Sequence, residues 1–456
     1  EALATMSSRS RTLEKLTDLQ GDVLHTIVGF ADRKDALCIR LTCTALRDSC
    51  PDAEVPRATI VCNLQRALWA ARSLGHDFSR DDSACAIAAG EGVLDVLAWL
   101  VDGCGLVPDA AACAAAARGG HLHVLKWLRA RNCPWDTSTC SSAAAAGHLE
   151  VLQWAHGAGC HWEADTCARA ALGGHLDVLE WAHDAGCRWD WETCAEAAAG
   201  GHLHVLQYAR ANGCDWDVHV CSRAAQGGHL ELLQWAREHD CAWGPWTCAF
   251  AAGAGHLEVL KWARANGCQW DETTCASAAD NGHIHILKWA WANGCPWNAW
   301  ACADAAQRGH LDVIKWLREN GAPWNAHTCA RAALHGHLGV LQWARANGCR
   351  WDAHTCARAA AGGHLRVLEW ARQEGCAWSE LTCSCAAQHG HLDVLKWARE
   401  HGCPWNALTC AAAAGGGHLH VLQWALEQGC PVDGRTCTAA GNAGHTDIVD
   451  WALDHG

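Results

Sequence analysis

An all-α solenoid of short helix-turn-helix repeats is predicted by three observations. A Gly-His pair recurs thirteen times at a 27-residue interval, from Gly120-His121 through Gly147-His148 to Gly444-His445. Each interval holds two short stretches of helical apolar period, broken by that pair. The connection between units is only a few residues long, as from Gly267 to Asp271, too short for two paired strands and a turn. A unit this small cannot bury its own apolar face and must stack on copies of itself, so most of the chain is expected to present surface instead of carrying out bond chemistry.

Within one unit, Asp190 to Trp216, each element has a local cause. Asp190 is followed at the same position in other units by Asp136, Asp217, Asp271, Asn298, Asn325, Asp352, Ser379, Asn406 and Asp433. Such side chains accept from the free amides at a helix start, so helix A begins there. An Ala-rich stretch follows, small enough for close helix packing, and Gly200-Gly201 ends it. Helix B is expected from about His202 to Asn212, stopping at Gly213. Its apolar residues Leu203, Val205, Leu206, Tyr208 and Ala209 leave a thin polar stripe at His204, Gln207 and Ala211, the pattern of a helix buried on two sides.

Composition narrows the function classes. The 456 residues carry a net charge of -14, which disfavours nucleic acid and anionic membranes, since both need a basic stripe. No stretch of about 18 apolar residues occurs and Glu1 to Leu19 lacks a signal-peptide core, so a soluble, intracellular and monomeric protein is expected. The organisation predicted is a disordered stretch over 1–12, a helical segment over 13–50, a linker over 51–61 containing Pro51 and Pro56, and the repeat array over 62–456.

The run Ala251-Ala252-Gly253-Ala254-Gly255-His256-Leu257-Glu258-Val259-Leu260 resembles the second half of an ankyrin repeat. Thr-Cys-Ala stands where that family has Thr-Pro-Leu-His, and the period is 27 where the family's is 33. The missing residues fall after helix B, so the resemblance implies an ankyrin-like helical solenoid with trimmed hairpin fingers. Short, Trp-rich and Cys-rich arrays of this kind are similar to those encoded by giant DNA viruses and some protists.

Most of the 31 cysteines follow the repeat in two ladders, one after the Gly that ends helix B (Cys160, Cys187, Cys214, Cys268) and one beside a Thr (Cys140, Cys167, Cys194, Cys248). Their seven-residue gap is unlike the close pairs of structural zinc sites, with Cys383 and Cys385 the one tighter pair. Free, buried packing thiols are expected, with equivalent cysteines of successive repeats too far apart for disulfides. The 29 tryptophans are also mostly periodic. Thirteen sit at one helix B position from Trp99 to Trp451, with Tyr208 substituting once, and eleven follow the Gly-Cys turn from Trp135 to Trp405. Packing explains these. Trp191, Trp246, Trp291 and Trp300 lie outside both ladders. Thirteen of 30 histidines belong to the Gly-His pair, where a ring nitrogen can satisfy local backbone groups. The others are scattered without a His-Glu-x-x-His pattern, so no catalytic residue, cofactor or metal is expected.

Residues 13–50 leave the repeat. Val23, Leu24, Ile27 and Val28 share one helical face, and Leu37, Leu41 and Ala45 another. Leu19, Asp22, Val23, Ile27, Asp35, Leu37, Arg40, Cys43 and Arg47 follow in order the pattern of an F-box, which this segment resembles, with Gln20 where the usual Pro would be. The resemblance implies docking on the Skp1 subunit of a cullin-RING ubiquitin ligase through Leu19, Val23, Leu24, Ile27, Phe30 and Leu37, with the array recruiting a protein target. The alternative is a helical cap on a stand-alone binding scaffold. Target contacts are expected at positions that vary between repeats yet stay exposed: Trp191, His219, Trp246, Trp300, His327 and His354 in the first turn of helix A, with Arg169, Glu196, Arg223, Phe250, Asp304, Arg331 and Arg358 in a second row.

Overall fold

The computed structural model describes residues 82–103 and 105–455. The segments 1–12, 13–50 and 51–61, and with them the proposed docking residues Leu19, Val23, Leu24, Ile27, Phe30 and Leu37, lie outside the described residues. Among the described residues there are 28 α-helices and no strand. They alternate as fourteen A/B pairs and divide between Trp216 and Asp217 into two compact units. The first unit holds the A helices Asp82–Gly90, Ala110–Arg118, Thr137–Ala145, Ala164–Gly173 and Trp191–Ala199. The second begins with Val218–Gly227, Pro245–Gly253, Glu272–Asp280, Ala299–Arg308 and Ala326–Leu334, continues through Ala353–Ala361, Glu380–Gln388 and Ala407–Gly415, and ends with Arg435–Ala443.

Helix A starts where the predicted caps from Asp136 to Asn406 place it; in the last repeat it begins one residue later, at Arg435 after Gly434. The Asp271 carboxylate accepts from the Thr273 amide at 3.0 Å, Asn298 from Trp300 at 2.9 Å and Asp352 from His354 at 3.0 Å. Removing one such cap costs about 1 kcal/mol. Within each unit every A helix packs on its own B helix and on the A helix of the next repeat. Alanines and the Thr-Cys cysteine make that approach possible: Cys248, Ala251 and Ala252 are fully buried, as are Leu260 and Ala263 of the B helix Leu257–Ala265. Burying each Leu or Val contributes about 1.5 to 3 kcal/mol, and the repeat multiplies it.

Helix B is one residue shorter at each end than the sequence suggests, Leu203–Ala211 in the reference unit. Its polar stripe is exposed at His204, Gln207 and Ala211, as expected. The histidine before it does not serve local backbone groups, which corrects the sequence reading. Its side chain makes no cap bond to its own helix. Instead it reaches 30 residues back, onto the end of helix A in the preceding repeat: His256 Nε2 lies 3.1 Å from the Gln226 carbonyl, His337 3.0 Å from that of Gln307, and His391 3.1 Å from that of Ala361. The ring covers the glycine of the earlier Gly-His pair, whose φ is positive. The pair is therefore an interface between repeats.

Burial pushes the imidazoles of His283, His364 and His418 below their usual 6.5. The unfolded chain then binds more protons once pH falls below that value, so the stability contributed by the neutral rings is present above about 6.5 and lost as pH drops through the lower folded values. We expect a lower melting temperature at pH 5.5 than at pH 7.5 by calorimetry. A melting temperature unchanged or higher at pH 5.5 would contradict this account of the ladder.

The tryptophans zip the other side. The ring after the Gly-Cys turn meets the B-helix ring of the next repeat edge-on, Trp243 with Trp262 at 5.8 Å, Trp324 with Trp343 at 5.8 Å and Trp351 with Trp370 at 5.7 Å. Its other contact is a planar group from the end of its own B helix. This is Arg264 over Trp270 at 4.2 Å, Arg345 over Trp351 at 4.1 Å, or His183 stacked on Trp189 at 3.6 Å. The same arginines donate to the carbonyl of the turn, Arg264 to Cys268 and Arg345 to Cys349. Aromatic and cation–π pairs of this kind each contribute about 0.5 to 1.5 kcal/mol beyond area burial. Trp291 takes the arginine's place and stacks on Trp297 at 5.9 Å and 15°, so this off-ladder tryptophan is a packing residue.

Candidate protein-binding face of the A helices

Counting two residues from each cap gives one register row in the second unit: His219, Trp246, Thr273, Trp300, His327, His354, Leu381 and Leu408. Six residues from the cap gives a second: Arg223, Phe250, Ser277, Asp304, Arg331, Arg358, Cys385 and Ala412. Spacing of four places both rows on one face of each helix. Sequence reasoning found most of these positions but misplaced one. Trp191 is the first residue of its helix, not the second, so it is out of register with Trp246 and Trp300 and belongs to the first unit. Its nearby candidates Arg169 and Glu196 are in that unit too. Leu381 and Leu408 lie on the same cap-plus-two register, but aliphatic residues in an Ala-rich helix carry no distinct sequence signal of exposure.

The row is unusually apolar for a solvent face. Trp246 is 60% exposed, Trp300 47%, Leu381 41% and Leu408 39%. Trp246 leans on the half-buried Phe250, four residues on, with ring centroids 5.9 Å apart. Trp300 is held from the next repeat. His327 stacks on it at 5.6 Å and 21°, and the Arg331 guanidinium lies 5.0 Å from its ring centre. Arg331 is fixed in turn by an ion pair with Asp304 and a 2.9 Å hydrogen bond to Gln307. Burial raises the Asp304 carboxyl above its ordinary value, and Arg331 opposes that shift. His219 pairs with Asp217 at 2.9 Å, and Arg223 donates to Gln226 at 3.4 Å. Arg358 and His354 are exposed.

Trp300, Asp304 and Arg331 form one wall of a groove of about 410 Å³, whose other side is Glu272, Thr273, Ser277 and Asp280. Asp280 pairs across to Arg308 at 3.4 Å. The groove thus offers an aromatic plate, carboxylates and amide hydrogen-bonding groups, an arrangement suited to holding an extended segment of polypeptide. Among the described residues, no group of three or more His, Cys, Asp or Glu side chains is placed to hold a metal ion. Among them, too, no helix is long and apolar enough to cross a membrane.

These features define a helical repeat protein with a laterally displayed face. Residues 300–345 and 383–426 match the family model for ankyrin repeats (many copies), and the all-helical stacking of the described residues is consistent with an ankyrin-like solenoid. Among solved structures, the pentatricopeptide repeat protein PPR10 in complex with an 18-nt psaJ RNA element is similar over 95% of this chain and 77% of that one, at 15% identity and a TM-score of 0.32. PPR10 from maize gives 13% identity and a TM-score of 0.30 over 95% and 82% of the two chains. The human ASB11 ankyrin repeat domain matches over 34% of this chain and 84% of that one, at 19% identity and a TM-score of 0.29. Scores at this level carry no argument about ligand. Comparison with curated proteins gives no match.

Proposed function

We propose that this chain is a protein-protein interaction protein, not an enzyme, and that its target seats on the A-helix face of the unit beginning at Asp217. The observation that carries this reading is the row of large apolar side chains exposed at one register position, Trp246, Trp300, Leu381 and Leu408. The histidine, tryptophan and cysteine ladders hold the repeats together, and these side chains keep about two-fifths or more of their surface exposed beyond their contacts with neighbours, so they are available to something outside the unit. Arg331 and His327 hold Trp300 in place before any partner arrives, which reduces the ordering cost of binding.

The finer reading joins this face to the N-terminal segment. Residues 13–50 act as an F-box that docks on Skp1 inside a cell, and the array delivers its target to the cullin-RING ligase. Its support is the sequence pattern from Leu19 to Arg47 alone. The second reading is a free-standing scaffold. Co-purification of the full chain with Skp1 and with array-bound protein separates them. Replacing Leu24 and Ile27 together by Asp should abolish Skp1 capture while the array keeps its target, because two desolvated charges are not tolerated in an apolar interface. Skp1 binding retained in the double variant would remove the adaptor reading, and absence of any array-bound protein would remove the scaffold reading as well.

A further inference from the structure

The cysteines that matter to each other are not the seven-residue neighbours. In eleven repeats the Thr-Cys cysteine is followed 20 residues later by the Gly-Cys cysteine, from Cys113 and Cys133 to Cys410 and Cys430. All of these thiols are at most 5% exposed. The sulfurs of Cys113 and Cys133 are 3.6 Å apart. In nine further pairs, among them Cys140 with Cys160, Cys167 with Cys187 and Cys248 with Cys268, the partner thiol is the largest influence on the titration of the other. Between Cys113 and Cys430 one repeat breaks the pattern: Cys302 has Ala322 at the second position. The Gly-Cys thiol also donates to the carbonyl of the helix A cap residue, Cys160 to Asp136 at 3.3 Å and Cys376 to Asp352 at 3.3 Å. That carbonyl already accepts from the Thr139 or Thr355 amide, at 3.1 and 3.0 Å. Loss of the thiol proton therefore leaves no buried acceptor unpaired.

We propose that these pairs are reversible dithiol–disulfide sites, each of which a small-molecule disulfide oxidises to a bridge inside its own repeat. In pairs such as Cys140/Cys160, the Gly-Cys thiolate attacks one sulfur of the small disulfide and expels the first small thiol. The Thr-Cys thiol then gives up its proton and attacks the Gly-Cys sulfur of the mixed disulfide, expelling the second. Two protein thiols and one small disulfide become one protein disulfide and two small thiols, a two-electron exchange. The partner thiol lowers the pKa of Cys160, Cys268 and Cys349, and Arg129, Arg264 and Arg345 assist, which suits the first attack in those pairs. In the Cys275/Cys295 pair the order is reversed, the Cys295 thiol being the one raised by its partner. For Cys302, whose second position is Ala322, burial pushes the thiol up to about 12, with Arg318 opposing it. Because the sulfurs are buried, exchange proceeds through local opening of a repeat and is slow. The bridge ties the start of helix A to the end of helix B. It constrains the unfolded repeat without cross-linking neighbours, so oxidation stabilises the array.

The test uses the full reduced chain, equilibrated with oxidised glutathione, quenched with N-ethylmaleimide in denaturant and mapped by mass spectrometry. Links should join each cysteine to the one 20 residues on, Cys302 should remain alkylated, and the melting temperature should rise and return with dithiothreitol. The Ala322→Cys variant should gain a link to Cys302. Links between different repeats, Cys302 in a bridge of the unaltered chain, pairs still fully alkylated after equilibration, or no new link in the variant would each overturn the proposal.

Discussion

Replacing Gly336 by Ala should lower the stability of the second unit by about 2 to 4 kcal/mol, from left-handed backbone strain plus overpacking. Gly336 has φ +75, and a methyl group there would sit 2.7 Å from the His364 ring of the next repeat. Gly348 is the control. Its φ is +83, but nothing lies within 4 Å of the added carbon, so Gly348→Ala should cost only the strain, about 1 to 2 kcal/mol. Asn132 and Asp240 already adopt a positive φ at the equivalent turn, which shows that this turn accepts a side chain. Adding His364→Ala to Gly336→Ala should recover part of the loss, since the ring that the methyl strikes is then gone. Denaturant unfolding of the four variants measures this. Equal costs at Gly336 and Gly348, or full additivity with His364→Ala, would show that the Gly-His pair is not the contact between repeats.

Much of this architecture was legible because it is periodic. The caps from Asp136 to Asp433, the glycine breaks and both tryptophan ladders recur at fixed offsets, and each offset has one structural cause. What was not legible lies between repeats or between distant parts of one repeat. The His256 ring serves the Gln226 carbonyl, a partner that no local rule names. The thiols of Cys113 and Cys133, 3.6 Å apart, are brought together only by the turn of helix B back onto helix A. Trp291 lay outside both tryptophan ladders in the sequence, and its stack on Trp297 shows that it fills the place of the arginine that covers the turn ring in other repeats. Trp191 was misaligned because Pro245 opens the helix one residue before Trp246, whereas Trp191 itself opens its own.

The central claim is that periodic residues hold the repeats together while the cap-plus-two row binds a partner. Trp343 belongs to the ladder, edge-on to Trp324 at 5.8 Å. Its replacement by Ala removes a large packed ring at a repeat interface, a loss of about 3 kcal/mol. Trp246 and Trp300 are about half exposed, so replacing both by Ala should cost about 1 kcal/mol or less. Their effect on an interface is larger, because a pre-held tryptophan at the centre of a contact contributes about 2 kcal/mol or more. The most direct measurement compares the melting temperature and target capture of Trp343→Ala with those of the Trp246→Ala, Trp300→Ala double variant. The account predicts a large drop in melting temperature for the first, and for the second a near-native melting temperature with capture reduced tenfold or more, the factor that about 1.4 kcal/mol already gives. A double variant that melts early but still captures the target at wild-type strength would show that Trp246 and Trp300 are packing residues and would contradict it.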